Sequence, residues 1–169
     1  MSFVLDTCAL ISGLNPLQIE GELYSVPMVL EELGSGGLAQ IRLEAALASG
    51  KLTLKEPTSG SESEVLKIAH ELGEDAALSK ADLKVLALAL DLKNSGKDSV
   101  IISDDYSIQN LAGRLGIRYL GLTTFGISYA FDWIFHCPAC HRKFMEERET
   151  CSVCGTKLRR IVLRRARIK

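Results

Sequence analysis

Two kinds of side chain in this 169-residue chain stand in arrangements that can do chemistry: paired cysteines, and carboxylates at the ends of apolar runs. Cys137-Pro138-Ala139-Cys140 and Cys151-Ser152-Val153-Cys154 are two CxxC pairs with ten residues between them. Zinc takes four tetrahedral thiolates, and each CxxC turn supplies two with backbone amides facing the sulfurs. Gly155 follows the second pair, where such turns often need a positive φ; His141 holds the equivalent place after the first. A redox CxxC would come singly near a βαβ unit, so the doubled pattern points to metal before disulfide or thiol catalysis. His136 and His141 are alternative donors, but Cys137, Cys140, Cys151 and Cys154 already complete a tetrahedral set. One zinc ion here would be structural, because a module of roughly 20–25 residues buries too little surface to fold alone. The remaining cysteine, Cys8, is expected as a small buried residue beside the first strand.

The acids suggest a different chemistry. Asp6 ends the apolar run Phe3-Val4-Leu5, and Asp104 follows Val100-Ile101-Ile102-Ser103. Ligands of open α/β sheets bind beyond the carboxyl ends of the strands, so both carboxylates should emerge at that edge. Glu32 and Asp82 fall near the starts of helices that can bring them to the same rim. Such a quartet would repel itself unless cations neutralise it. Hard oxygen donors suit Mg²⁺ or Mn²⁺, which can activate water and stabilise a leaving oxygen in phosphodiester cleavage. Each acid also has a structural reading. Asp82 lies three residues after Ser79, as in a capping box. Asp104 or Asp105 would cap the next helix, Asp6 would satisfy a turn, and Glu32 would be a solvated helix-face charge. At 100° per residue, Glu32 lies nearer than Glu31 to the stripe of Val29, Leu30 and Leu33. The residues alone leave the quartet open.

The elements that must position these groups alternate in type. Phe3-Val4-Leu5, residues 22–26, residues 51–55, Val100-Ile101-Ile102 and residues 117–120 read as strands. Helical periodicity runs from Pro27, a first-turn proline, through Leu38, Ile41, Leu43, Ala46 and Leu47 to Gly50. Further helices follow the polar break at residues 57–61, open at Ser79-Lys80-Ala81-Asp82, and run through Ile108, Leu111, Ala112 and Leu115 to Gly116. Strands alternating with helices predict an α/β fold with a parallel sheet flanked by helices, followed by a small zinc-ribbon module.

Charge divides the chain. Residues 1–133 carry 10 Lys and Arg against 18 Asp and Glu, whereas residues 134–169 carry 10 against 3. The overall charge of −1 conceals that asymmetry, which suggests a nucleic-acid partner for the basic part. Arg142, Lys143, Lys157, Arg159, Arg160, Arg164, Arg165 and Arg167 are the candidate RNA contacts. Leu158, Ile161, Val162, Leu163 and Ile168 interleave with the terminal cations, so part of that segment should pack. Trp133, Phe135 and Phe144 could stack on bases, but core packing is the expectation. No GxGxxG or P-loop stands in the chain, which removes support for nucleotide binding or hydride transfer and for an organic cofactor. No apolar run approaches the roughly 18–20 residues that span a bilayer, and the start lacks a basic n-region, so no membrane and a cytoplasmic location are expected.

Val4-Leu5-Asp6-Thr7, Val26-Pro27-x-Val29-Leu30-Glu31-Glu32-Leu33, Ser79-x-Ala81-Asp82-x-x-Val85-Leu86-Ala87-Leu88-Ala89 and Ile101-Ile102-Ser103-Asp104-Asp105 together resemble the PIN-domain nucleases over residues 1–120. With the ribbon added, and with Asp104-Asp105-Tyr106-Ser107-Ile108-Gln109-Asn110, the chain resembles the Nob family of ribosome-maturation endonucleases. That resemblance implies a PIN-like nuclease domain (1–120), a linker (121–133), a zinc ribbon (134–157) and a basic C-terminal tail (158–169). It implies a metal-dependent, single-strand-directed endoribonuclease acting as a monomer on precursor small-subunit rRNA, cut at its mature 3′ end within a pre-ribosomal small subunit. Asp6, Glu32, Asp82 and Asp104 become the acidic set by motif, with Asp105 a weaker addition. Asp6 and Asp104 would hold Mg²⁺ or Mn²⁺, and Glu32 or Asp82 would position a second metal or the attacking water. The alternatives are a toxin-type PIN ribonuclease and a non-catalytic RNA-binding ribosome assembly factor.

Overall fold

The computed structural model describes residues 1–122, 129–146 and 148–167; for 129–133 and 162–167 the description covers the backbone alone. Five strands, β1 (Ser2–Leu5), β2 (Glu22–Ser25), β3 (Leu52–Leu54), β4 (Ser99–Ile102) and β5 (Arg118–Leu120), form one sheet in the order β3-β2-β1-β4-β5. Every neighbouring pair is parallel. Six α-helices flank it among the described residues: α1 (Thr7–Ile11), α2 (Pro27–Leu33), α3 (Leu38–Ala48), α4 (Ser59–Leu72), α5 (Lys80–Asn94) and α6 (Tyr106–Leu115). The expected α/β architecture is therefore present.

A parallel sheet covered on both faces needs strands without a polar side. β4 meets that condition, with all four residues buried. Helix α5 is buried at every position from 85 to 90, so it runs through the interior rather than over it. Val4, Leu5, Leu23 and Ile101 from the sheet and Leu86, Leu88, Ile108 and Leu111 from the helices share one core.

The unbroken helix expected from Pro27 to Leu47 is two helices. Gly34 (φ 67°) and Gly36 (φ 88°) adopt left-handed backbone that resets the phase, and Gly37 caps α3. Leu38 and Ile41 consequently face solvent at 62% and 55% exposure, while Leu43 and Ala46 turn inward.

A second, antiparallel sheet in the order β7-β6-β8 contains β6 (Tyr129–His136), β7 (Lys143–Phe144) and β8 (Arg159–Arg167). Its first strand begins inside the stretch expected as a linker, and its last strand is the stretch expected as a basic tail. That stretch, Arg159-Arg160-Ile161-Val162-Leu163-Arg164-Arg165-Ala166-Arg167, has no strict alternation, yet it forms a strand whose register pairs Ile161 with Ile134 and Arg160 with Phe135. Ile168 and Lys169 lie outside the described residues. Cys137, Cys151 and Leu158, with Phe135, Cys140 and Phe144, make a small core under this sheet. No described helix is long and apolar enough to cross a membrane.

Candidate active site and metal centre

β1 is the centre of the five-stranded sheet, with β2 and β3 on one side and β4 and β5 on the other. The chain therefore leaves β1 and β4 in opposite directions, and a crevice opens beyond their carboxyl ends, where α/β proteins place their ligands. Asp6 follows β1 there and caps α1, accepting from the Thr7 amide at 2.6 Å. Only 2% of it is exposed. Ser103 Oγ and Cys8 Sγ both donate to Asp6 Oδ2 at 2.8 Å. Ser103 is itself fixed, accepting from the Asp105 amide at 3.1 Å and, through its carbonyl, from Gln109 Nε2 at 2.9 Å. Burial pushes the Asp6 carboxyl above its usual range; the bonds from Cys8, Ser103 and Thr7 pull it partly back. Burial and then the neighbouring Asp6 charge push the Cys8 thiol up to about 11, which fits a hydrogen-bond donor and not a nucleophile.

Glu32 reaches across from α2. Its Oε2 accepts from Thr7 Oγ1 at 2.6 Å and its Oε1 from Ser79 Oγ at 3.1 Å. Ser79 caps α5, and Asp82 closes a capping box with it: the Asp82 amide donates to Ser79 Oγ (3.1 Å) and the Ser79 amide to Asp82 Oδ2 (2.7 Å). The capping reading of Asp82 thus holds, and so does its place near the other acids. Burial first, then the charges of Asp6 and Asp105, push the Asp82 carboxyl up to about 6, against the capping bonds from Ser79.

The consecutive acids after β4 divide. Asp104 Oδ1 accepts from the Leu122 amide at 2.8 Å. Asp105 caps α6, accepting from the Ser107 amide at 2.6 Å, and its charge raises the carboxyls of both Asp6 and Asp82. The sequence reading gave Asp105 the lesser place. Thr7 and Ser103, not singled out from the sequence, and Ser79, expected only as a helix cap, are the hydroxyls that tie the acids together. A signal was available: a hydroxyl residue stands within three positions of Asp6, Asp82 and Asp105.

The cysteine module is built from two matching turns. The donor sulfurs of Cys137, Cys140, Cys151 and Cys154 all lie within 4.8 Å of one another. The separations of 3.4 Å (Cys137 to Cys154) and 3.5 Å (Cys140 to Cys151) are far beyond a disulfide bond, and all four thiols are free. Sulfurs about 2.3 Å from a tetrahedral zinc lie about 3.8 Å apart, so the set fits that ion. The His141 amide donates to the Cys137 carbonyl and the Gly155 amide to the Cys151 carbonyl, each at 2.9 Å. His141 (φ 59°) and Gly155 (φ 69°) supply the left-handed residue that each turn requires. Hydrogen bonding with Thr156 lowers the Cys154 thiol to about 6, toward the thiolate form that metals bind. Among the described residues this is the one cluster of three or more Cys, His, Asp or Glu with donors so close together.

Of the expected RNA contacts, Arg142, Lys143, Lys157, Arg159 and Arg160 are exposed. Arg160 turns to Glu74 at 2.7 Å. The side chains of Arg164, Arg165, Arg167 and Trp133 lie outside the described ones. Phe135 and Phe144 pack against the cysteine core, as expected of them.

The PIN domain of ribonuclease matches residues 3–92. Endoribonuclease Nob1 of Methanocaldococcus jannaschii is 36% identical over 159 residues, covering 93% of this chain and 76% of that protein. Endoribonuclease Nob1 of Methanothermobacter thermautotrophicus is 39% identical over 162 residues, with 94% and 91% covered. Ribonuclease VapC1 of Thermoplasma acidophilum is 33% identical over 164 residues, with 95% and 78% covered. The sheet order, the acids at its switch point, the four-cysteine cluster and these matches agree: the chain belongs to the PIN-domain ribonucleases and is a relative of the archaeal Nob1 endoribonucleases.

Proposed function

We propose that this endoribonuclease cuts single-stranded RNA with the help of bound Mg²⁺ or Mn²⁺, and that its substrate is precursor small-subunit rRNA, cut at the mature 3′ end within a pre-ribosomal particle. The observation that carries the hydrolytic reading is the hydrogen-bonded chain from Asp6 and Thr7 through Glu32 to Ser79 and Asp82 at the sheet's switch point. Two of its carboxyls are held above their usual range, Asp6 by burial and the charge of Asp105, Asp82 by burial and the charges of Asp6 and Asp105. Cations relieve that stress. Such an ion lowers the pKa of a water and neutralises charge on the scissile phosphate. Asp6, Asp82 and the Asp104-Asp105 pair would supply oxygen ligands, and Glu32, tethered at both oxygens, would orient the attacking water.

The basic module complements this edge. An acidic site repels the polyanion it must cut, so exposed cations on the ribbon supply binding. Zinc in the four-cysteine set would hold those cations on a rigid turn pair. The rRNA assignment is supported by the similarity to Nob1 proteins over both parts of the chain. Working as a monomer in the cytoplasm belongs to the same proposal.

Similarity to a protein named Ribonuclease VapC1 makes other RNAs the competing substrates. The test offers a short single strand spanning the small-subunit rRNA 3′ end, a scrambled strand and a tRNA, each with Mn²⁺. A single cut in the first strand alone is expected. Equal cutting of all three overturns the substrate, preferred cutting of tRNA favours the toxin-type reading, and binding without any cut favours an assembly factor.

A further inference from the structure

Glu74 is the one charged side chain besides Asp6 that the described residues bury almost completely, at 2% exposure, and the acidic edge does not use it. It follows Gly73, the left-handed cap of α4, and its amide is fixed to the Ala69 carbonyl at 2.9 Å. Glu74 Oε1 accepts from Nδ2 of Asn110, a buried residue of α6, at 3.0 Å. Glu74 Oε2 lies 2.7 Å from Nη2 of Arg160 on β8, outside hydrogen-bond geometry, so charge and not a directed bond makes this contact. An isolated carboxylate at this depth is costly, and although Arg160 keeps 32% of its side chain exposed, removing it would leave Glu74 uncompensated. An apolar residue would fill the place of Glu74 at less cost, and the best-attested use of a buried charge with a fixed partner is to set registry. The two partners here belong to different sheets' halves of the molecule: Glu74 to the nuclease body, Arg160 to the ribbon sheet. Arg160 pairs in register with Phe135, and its neighbour Arg159 necessarily points to the opposite face.

We propose that the Glu74–Arg160 pair, seated on Asn110, is a positioning contact that locks the ribbon sheet onto the nuclease body, so that Arg160 sets where ribbon-bound RNA meets the acidic edge and does not itself grip RNA. The kinetic consequence rests on the cleavage reading above; the mechanical one does not. Glu74 cannot touch RNA at its depth, so its removal separates positioning from binding.

The experiment uses the full zinc-loaded chain as wild type, Glu74→Gln, Arg160→Gln and Arg160→Lys. Backbone ¹⁵N relaxation reads whether the ribbon tumbles with the nuclease body. Wild type and Arg160→Lys should share one tumbling time across both parts. In Glu74→Gln the ribbon's time should shorten by roughly a factor of two, as for a domain freed on its connector. Cleavage by Glu74→Gln should keep KM within about twofold while kcat falls roughly ten- to a hundredfold, the cost of misplacement. One tumbling time in Glu74→Gln overturns the proposal. Should Glu74→Gln lose the fold, Arg160→Gln gives the same reading. If wild type cuts no RNA, the cleavage reading fails while relaxation still decides the lock.

Discussion

Thr7 Oγ1 donates to Glu32 Oε2 at 2.6 Å, joining the first turn after β1 to helix α2 across 25 positions of sequence. Its neighbour Asp6 is buried and the other oxygen of Glu32 is held by Ser79, so one short contact registers three segments on a common edge. Rigid placement of this kind is what a hydrolytic site needs, because small displacements of oriented groups cost rate steeply.

Ser103 gives the first test of that placement. Its hydroxyl donates to Asp6 and accepts from the Asp105 amide, so Ser103→Ala leaves the carboxylate with only its Cys8 and Thr7 donors and orphans an amide. A loss of about 1–3 kcal/mol in unfolding free energy is expected, the usual cost of an unmade buried bond. Cleavage should fall roughly tenfold with the metal requirement intact, while Asp6→Asn should fold and cut nothing. Denaturant titration beside steady-state kinetics checks both.

Much of this edge is legible in the chain because a strand that ends in an acid states both position and chemistry. Asp6 after β1 and the acids after β4 emerge beyond adjacent strands, as the alternation of elements implies. The cysteine turns are equally plain, down to the left-handed His141. Three things were not legible. Gly34 and Gly36 break a helix whose apolar spacing continues across the gap, because periodicity does not register a backbone reset. β8 reads as a basic tail that packs only in part, since Arg159-Arg160-Ile161-Val162-Leu163-Arg164-Arg165 lacks the alternation of a strand and its pairing with β6 is not stated by spacing. The division between Asp104 and Asp105 depends on which carboxylate the α6 cap captures, a choice of rotamer that spacing cannot state.

The Asp82 carboxyl has a definite pH signature. Its folded value, about 6, lies above the ordinary 3.8, so the folded state holds the proton more tightly than the unfolded chain. That contribution to stability is present at low pH and is lost as pH rises from near 3.8 through about 6. In metal-free protein, the stability of Asp82→Asn relative to wild type should therefore increase across that window. Denaturant midpoints of the two proteins at stepped pH measure it, and added Mn²⁺ should shrink the difference.

Zinc removal should act on one part of the molecule. The cysteine core is small and centred on Cys137 and Cys151, so stripping the ion should unfold residues 134–161 and leave the sheet of β1 to β5 folded. Amide spectra before and after chelation show which signals survive. Metal analysis should find one zinc per four-cysteine set, and none in native protein would contradict the assignment.

Exposed ribbon cations should appear in the salt dependence of RNA binding. Lys143→Gln and Arg159→Gln should each flatten the slope of log affinity against log salt by about 0.7, the increment for one phosphate contact on a single strand. Arg160→Gln should leave that slope unchanged, because Arg160 faces Glu74. Titrations of labelled RNA at several salt concentrations separate these outcomes.

The account depends most on Asp82, where a helix cap and an acid of the edge are the same side chain. Asn in its place can still accept the Ser79 amide, so the fold should persist while the charge disappears. The decisive measurement is cleavage of single-stranded RNA by wild type and Asp82→Asn, each with and without Mn²⁺. Metal-dependent cutting by wild type and none by the folded variant is the predicted result; undiminished cutting by Asp82→Asn would contradict it.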